Sequence, residues 1–133
     1  MKSILGHVYL YVSDLSKSYD FYNELLKYLE YNEIVKADWG FAYTSNGTSI
    51  WFEKTPKKYK EDGYHRKRIG LNHLAFRVAS KADVNKFHKD FIKKNKLKTL
   101  YNSPKKFPEY SKDYYAVYFE DPDRIKIEVA FYS

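Results

Sequence analysis

His7-Val8-Tyr9-Leu10-Tyr11-Val12 and His73-Leu74-Ala75-Phe76-Arg77-Val78 are the two stretches whose comparison decides the fold. They align at an offset of 66 (73 − 7), close to half of the 133-residue chain. The same offset sets Phe21 on Phe87, Leu25 on Phe91 and Leu26 on Ile92. One unit used twice is the economical explanation, and internal repeats take priority over element assignment because they dictate the architecture.

Within each copy the hydrophobic period changes as it should for a strand followed by a helix. Val8, Leu10 and Val12 alternate with His7, Tyr9 and Tyr11, and Leu74, Phe76 and Val78 alternate with His73, Ala75 and Arg77. A strand sends successive side chains to opposite faces, so both histidines point away from the apolar face. After Ser16, residues Phe21, Tyr22, Leu25, Leu26 and Leu29 take helical spacing. After Ser80, with Asp83 three positions on as a capping-box signal, Val84, Phe87, Phe91 and Ile92 do the same.

The rest of the first copy reads as strands near 32–38, 41–45 and 49–54, with Asn46-Gly47 as a hairpin turn. The second copy begins with a loose connection over about 99–112, holding Pro104 and Pro108, and continues as strands near 114–120 and 125–132. The final strands give a second pairing, Ile50-Trp51-Phe52-Glu53 on Ile125-Lys126-Ile127-Glu128, at an offset of 75 (128 − 53). An insertion of about nine residues (75 − 66) in the proline-bearing loop reconciles the two offsets, and loops absorb such insertions readily. The expected fold is α+β: two tandem βαβββ modules forming a curved, mixed, eight-stranded sheet with helices on its outer face. Module 1 spans about 1–55, a linker about 56–69 and module 2 about 70–133, together a single domain over 1–133.

Composition narrows the chemistry. With no cysteine, any metal must sit on nitrogen and oxygen ligands, and no disulfide framework exists. The N-terminus runs directly into an alternating strand, so neither a signal peptide nor a membrane span is expected, and the cytoplasm is the expected location. A formal charge of +7, with 15 Tyr and 9 Phe, would suit a single-strand nucleic-acid binder. The lysines are nevertheless dispersed, and the one dense basic run, from Lys54 to Arg68, reads as a solvated connection, so no nucleic-acid partner is expected.

His7-x4-Val12-x-Asp14-Leu15 with Phe21-Tyr22, Asn72-His73-Leu74-Ala75-Phe76, and Glu120-Asp121-Pro122-Asp123 leading into Ile127-Glu128 together resemble the vicinal-oxygen-chelate superfamily. That group includes glyoxalase I, bleomycin-resistance proteins, methylmalonyl-CoA epimerase, fosfomycin-resistance transferases and extradiol dioxygenases. The resemblance covers nearly the whole chain. It implies a divalent ion (Ni, Co, Mn, Fe or Zn) on His7, Glu53, His73 and Glu128, with Glu128 or Glu53 as the base. Two imidazoles and two carboxylates form a mixed sphere suited to such ions and leave positions open for substrate oxygens. Glu53 rests mainly on the self-alignment. Sliding the fourth strand puts Trp51 in its place and leaves two histidines and one carboxylate.

Tyr9, Tyr11, Trp51, Tyr114, Ala116 and Tyr118 share the cavity-side parity and are candidates for an aromatic substrate pocket. Arg77 and Arg124 are candidates for meeting an anionic substrate, while His65 and His88 read as surface or packing residues. The expected function is a glyoxalase-type, metal-dependent lyase or isomerase acting on a small oxygen-rich substrate. The alternatives are a metal-free binding protein of bleomycin-resistance type and a fosfomycin-type thiol transferase. A homodimer is expected as the means of protecting exposed sheet edges.

Overall fold

A computed structural model describes residues 1–133, which divide into two compact units, Met1–Gly63 and Tyr64–Ser133. The βαβββ order occurs twice, giving the expected α+β fold of two tandem modules, and the strands hydrogen-bond as two four-stranded mixed sheets, one in each unit. No helix is long and apolar enough to cross a membrane.

In the first unit, β1 (His7–Val12) leads into α1 (Leu15–Tyr28), followed by β2 (Asn32–Lys36), β3 (Gly40–Ser45) and β4 (Thr48–Lys54). The sheet order is β1-β4-β3-β2, with β1 and β4 parallel and the other pairs antiparallel. The helix starts earlier than its apolar spacing suggests because Asp14 is the cap, its side chain accepting from the Lys17 amide at 3.0 Å. This amide holds the Asp14 carboxyl below its ordinary pKa. The helix buries Tyr22, Leu25 and Leu26 in a core shared with Leu10, Val12, Phe41, Ile50 and Phe52. Asn46 and Gly47 take φ of 49° and 81°, the two left-handed residues of a tight hairpin turn. A short 3-10 helix, Lys57–Asp62, ends the unit within the stretch read as a linker.

Gly40 holds β3 against β4 by having no side chain. A Cβ placed there would lie 2.1 Å from the carbonyl oxygen of Phe52, a backbone atom that cannot swing aside. Gly40→Ala is therefore expected to cost about 1–3 kcal/mol or more through forced separation of the strands. Urea denaturation checks this, as a lowered midpoint at unchanged slope; an unchanged midpoint would refute it.

In the second unit, β5 (His73–Arg77) is followed by α2 (Lys81–Phe87), which continues into a π-helical turn over His88–Lys93. Next come β6 (Thr99–Lys106), β7 (Tyr115–Glu120) and β8 (Lys126–Phe131), in the sheet order β5-β8-β7-β6. Ser80 caps the helix as expected: its Oγ accepts from the Asp83 amide at 3.1 Å and its hydroxyl donates to Asp83 Oδ2 at 2.8 Å, a side-chain bond in place of the backbone bond of a full capping box. Val84, Phe87, Phe91 and Ile92 bury with Phe76, Val117, Phe119, Ile127 and Val129. The Asp121 side chain closes the β7–β8 turn by accepting from the amides of Asp123 and Ile125, both at 2.8 Å.

The stretch read as a loose connection over 99–112 is instead largely a strand. Its prolines do not prevent this, because β6 is an edge strand and tolerates a residue without an amide hydrogen. The register shifts between Leu100 and Lys105, and inside that bulge Tyr101 and Asn102 both take left-handed conformations, with φ of 60° and 56°.

Candidate functional site

The β5–β8 pairing builds the most developed site. His73 pairs with Lys126 and Ala75 with Glu128 in a parallel register, so His73 and Glu128 stand two positions apart along neighbouring strands. Their side chains meet, with His73 Nε2 2.9 Å from Glu128 Oε2. On the other side of the imidazole, Nδ1 lies 2.7 Å from Asn72 Oδ1, an acceptor that favours a hydrogen on Nδ1 and leaves Nε2 facing Glu128. The Tyr114 hydroxyl donates to the other Glu128 oxygen.

The sequence puts Glu128 on the solvent side of its strand, yet its side chain is only 1% exposed. Tyr114 and Tyr118 cover it and turn that face of the sheet into a cavity of about 320 Å³, whose wall also includes Asn72, Tyr101, Tyr110 and Lys126. Burial, and next the hydrogen bond to Glu128, push the Tyr114 phenol well above its ordinary pKa. Burial and the Glu128 charge do the same to Tyr118. Tyr43 in the first unit is raised by burial and by its hydrogen bond to Glu33.

A raised phenol pKa means that the folded chain favours the neutral form. This contribution to stability is whole below the unfolded value of about 10 and declines as pH rises above it toward the folded values. Tyrosinate absorbance during an alkaline titration should show Tyr43, Tyr114 and Tyr118 ionising only as the protein unfolds, with the melting temperature falling above about pH 10. Ionisation of all 15 tyrosines in the folded protein would refute this.

The first unit is built differently. Its β1–β4 register pairs His7 with Ser49, Tyr9 with Trp51 and Tyr11 with Glu53. By comparison with His73 and Glu128, the position two along from His7 belongs to Trp51, and Glu53 lies four along, roughly 13 Å away at about 3.3 Å per residue. The structure thus brings His73 and Glu128 together and does not bring His7 and Glu53 together. Glu53 Oε1 accepts instead from the Tyr9 hydroxyl at 2.8 Å, which raises the Tyr9 pKa. His7 is exposed. No three His, Asp or Glu side chains lie close enough together to hold an ion among themselves.

The aromatic candidates of this unit form an open row. Trp51 stacks parallel to Tyr9 at 6.1 Å and to Trp39 at 6.4 Å between ring centroids, each within 8° of parallel. Tyr11 flanks Tyr9 at 6.4 Å. Trp39 was not among the residues singled out from sequence, because it lies in a turn and has no strand parity to read. Ala116 is buried in a cluster with Phe107, Tyr118 and Ala130 and is not in the cavity wall.

The two arginines proposed for a substrate anion are engaged elsewhere. Arg77 donates to the Tyr132 carbonyl at 3.0 Å and lies over its ring, while Arg124 donates to Glu120 at 3.3 Å. Arg124 also takes φ of 66°, the conformation glycine would supply in that turn. His65 accepts the Lys67 amide at 3.1 Å, and burial lowers the His88 pKa, as befits a surface turn and a packing residue.

Two βαβββ units with a histidine opening the first strand of each define a class of small α+β proteins. The chain belongs to the Glyoxalase/Bleomycin resistance protein/Dioxygenase superfamily, whose pattern residues 4–129 match. It is 37% identical over 125 residues to the uncharacterized protein YqjT of Bacillus subtilis (strain 168), covering 94% of this chain and 96% of that one. A Bacillus halodurans protein provisionally named a glyoxalase superposes with a TM-score of 0.90 at 34% identity, covering 98% of this chain and 97% of the other. A glyoxalase/bleomycin resistance protein of Albidiferax ferrireducens T118 superposes at 0.76 with 25% identity, over 98% and 100% of the two chains. The lactoylglutathione lyase of Agrobacterium tumefaciens shares the fold at a TM-score of 0.69 and 16% identity, over 98% and 94%.

Proposed function

We propose that this protein is a metal-dependent lyase or isomerase of glyoxalase type, acting on a small oxygen-rich substrate bound in the His73–Glu128 cavity. The observation that carries this reading is the Glu128 carboxylate, buried under two tyrosines and held 2.9 Å from an imidazole nitrogen. A carboxylate costs several kcal/mol to bury unless its charge is matched, and a cavity beside it is where matching by a ligand would occur. The donor chemistry fits a divalent ion at this pair: one imidazole nitrogen oriented by an amide oxygen and one carboxylate, borderline to hard donors.

A divalent ion bound there would polarise a substrate carbonyl and stabilise negative charge on its oxygen. Asn72 fixes the imidazole tautomer, so the ring does not have to reorient when it binds. Glu128 is placed to take and return a proton on a carbon next to such a carbonyl. Tyr114 restrains the carboxylate by donating to its second oxygen, and its own raised pKa keeps that proton in place at neutral pH.

The test is titration of the purified protein with Co, Ni, Mn and Zn, comparing wild type with His73→Ala, Glu53→Ala and His7→Ala. Loss of binding in His73→Ala is expected, Glu53→Ala should bind like wild type, and loss in His7→Ala would assign His7 as a further donor. A wild-type protein that binds none of the four ions would overturn the reading. We further propose a homodimer, supported by the exposed Tyr9 and Tyr11 and by β1 at the edge of its sheet. A monomer in sedimentation at micromolar concentration would contradict it.

A second reading draws on the Trp39-Trp51-Tyr9 row, which offers parallel faces to a planar compound without any metal. Saturable quenching of tryptophan fluorescence by a planar cation in the metal-free protein, lost in Trp51→Ala, would favour this binding role.

A further inference from the structure

Lys126 lines the same cavity and is only 9% exposed, yet no carboxylate pairs with it. Its nearest acidic neighbours in the sheet are occupied. Glu128, two positions along β8 on the same face, gives one oxygen to His73 and the other to Tyr114. Glu120, opposite Lys126 on β7, gives its carboxylate to Arg66 at 2.8 Å and to Arg124 at 3.3 Å. What Lys126 has is neutral: its Nζ donates to the Tyr101 hydroxyl at 3.1 Å and faces the rings of Tyr101 and Tyr118 at 5.3 and 5.6 Å. An ammonium whose direct contacts are a phenol and two ring faces keeps donor hydrogens free toward the cavity, and an anion there would pair with it directly.

The backbone supports the same conclusion. Tyr101 and Asn102 are consecutive non-glycine residues in the left-handed region, inside the β6 bulge. Such conformations persist where the surrounding structure enforces them and concentrate at ligand-binding sites. Here the bulge interrupts the β6–β7 register at the point where the Tyr101 hydroxyl reaches Lys126. Because that oxygen accepts from Lys126, the Tyr101 proton remains available to donate, alongside the other ammonium hydrogens.

We infer that Lys126 and Tyr101 form an anion pocket that binds the carboxylate of a small monocarboxylate substrate, leaving the rest of the molecule beside the His73–Glu128 pair. A single charged donor beside aromatic walls suits a monoanion better than a dianionic phosphate, and about 320 Å³ suits a small molecule. This inference rests on reading the His73–Glu128 cavity as the substrate site.

The experiment is calorimetric titration of the whole protein with pyruvate, its neutral methyl ester and inorganic phosphate, each with Co²⁺ affinity measured in parallel. Pyruvate should bind at least about tenfold more tightly than the ester or phosphate. Lys126→Met should lower pyruvate affinity at least about tenfold without weakening Co²⁺ binding, while Lys126→Arg keeps most of the pyruvate affinity. If Lys126→Met does not fold, movement of the Lys126 side-chain NMR signals on adding pyruvate to wild type decides in its place. Equal binding of acid and ester, tighter binding of phosphate, wild-type affinity in Lys126→Met, or no binding of pyruvate would each overturn the inference. Lys126-dependent pyruvate binding without any Co²⁺ affinity would uphold the anion pocket and defeat the metal reading.

Discussion

Glu128→Ala should lower divalent-ion affinity by at least about a hundredfold, beyond the loss typical of groups that only orient a ligand. Two consequences of the side chain's position separate this from general damage. Removing the carboxylate leaves the part-buried Tyr114 hydroxyl without its acceptor, for a stability cost of about 1–3 kcal/mol. Glu128→Gln keeps an acceptor for Tyr114 and removes the negative charge, so it should recover much of the stability and little of the metal affinity. Cobalt titration with urea denaturation on both variants makes the check. Wild-type cobalt affinity in a folded Glu128→Gln protein would remove Glu128 from the ligand set.

The second large effect is on folding and involves no site residue. Phe52 is fully buried on β4, with its ring 4.2 Å from that of Tyr22 on α1 and 4.7 Å from that of Phe41 on β3. It joins the helix to the sheet of the first unit, and its neighbours are rings that cannot collapse far into the space it leaves. Phe52→Ala should cost about 3–5 kcal/mol, and Phe52→Leu much less, because most of the volume is retained. Denaturant midpoints at constant slope give the difference. A loss below about 1 kcal/mol for alanine would mean that this contact does not organise the unit.

The two predictions differ in how far the sequence alone could have led to them. Phe52 is legible from alternation with Ile50, and the repeat is legible because His7 and His73 open strands of the same pattern. The matching of Glu53 to Glu128 is another matter. Trp51 and Glu53 lie two residues apart and share one face, so alternation cannot choose between them, and only the pairing of β4 with β1 does. Self-alignment could have made the choice only with the true length of the insertion in the second copy. The insertion was obscured because β6, with its proline and its bulge, reads as a loop.

Lys126 illustrates a different gap. A lysine on a strand ordinarily reads as solvated, and the dispersed basic charge of this chain strengthens that reading. Its parity with Glu128 on β8 was the available signal: if Glu128 faces a cavity, so does a residue two positions before it. Burial of Glu128 itself was not legible, because the cover comes from Tyr114 and Tyr118 on or next to β7, and their alternation alone does not say that their rings close over a carboxylate. The arginines drew attention instead as candidates for meeting an anionic substrate, and the fold engages both of them locally.

Anomalous diffraction from crystals of the protein equilibrated with cobalt tests the central claim most directly. The account predicts a cobalt peak bonded to His73 Nε2 and a Glu128 oxygen, with Glu53 still accepting from Tyr9. Saturating cobalt with no peak at His73 and Glu128, or a peak held by other residues alone, would contradict it.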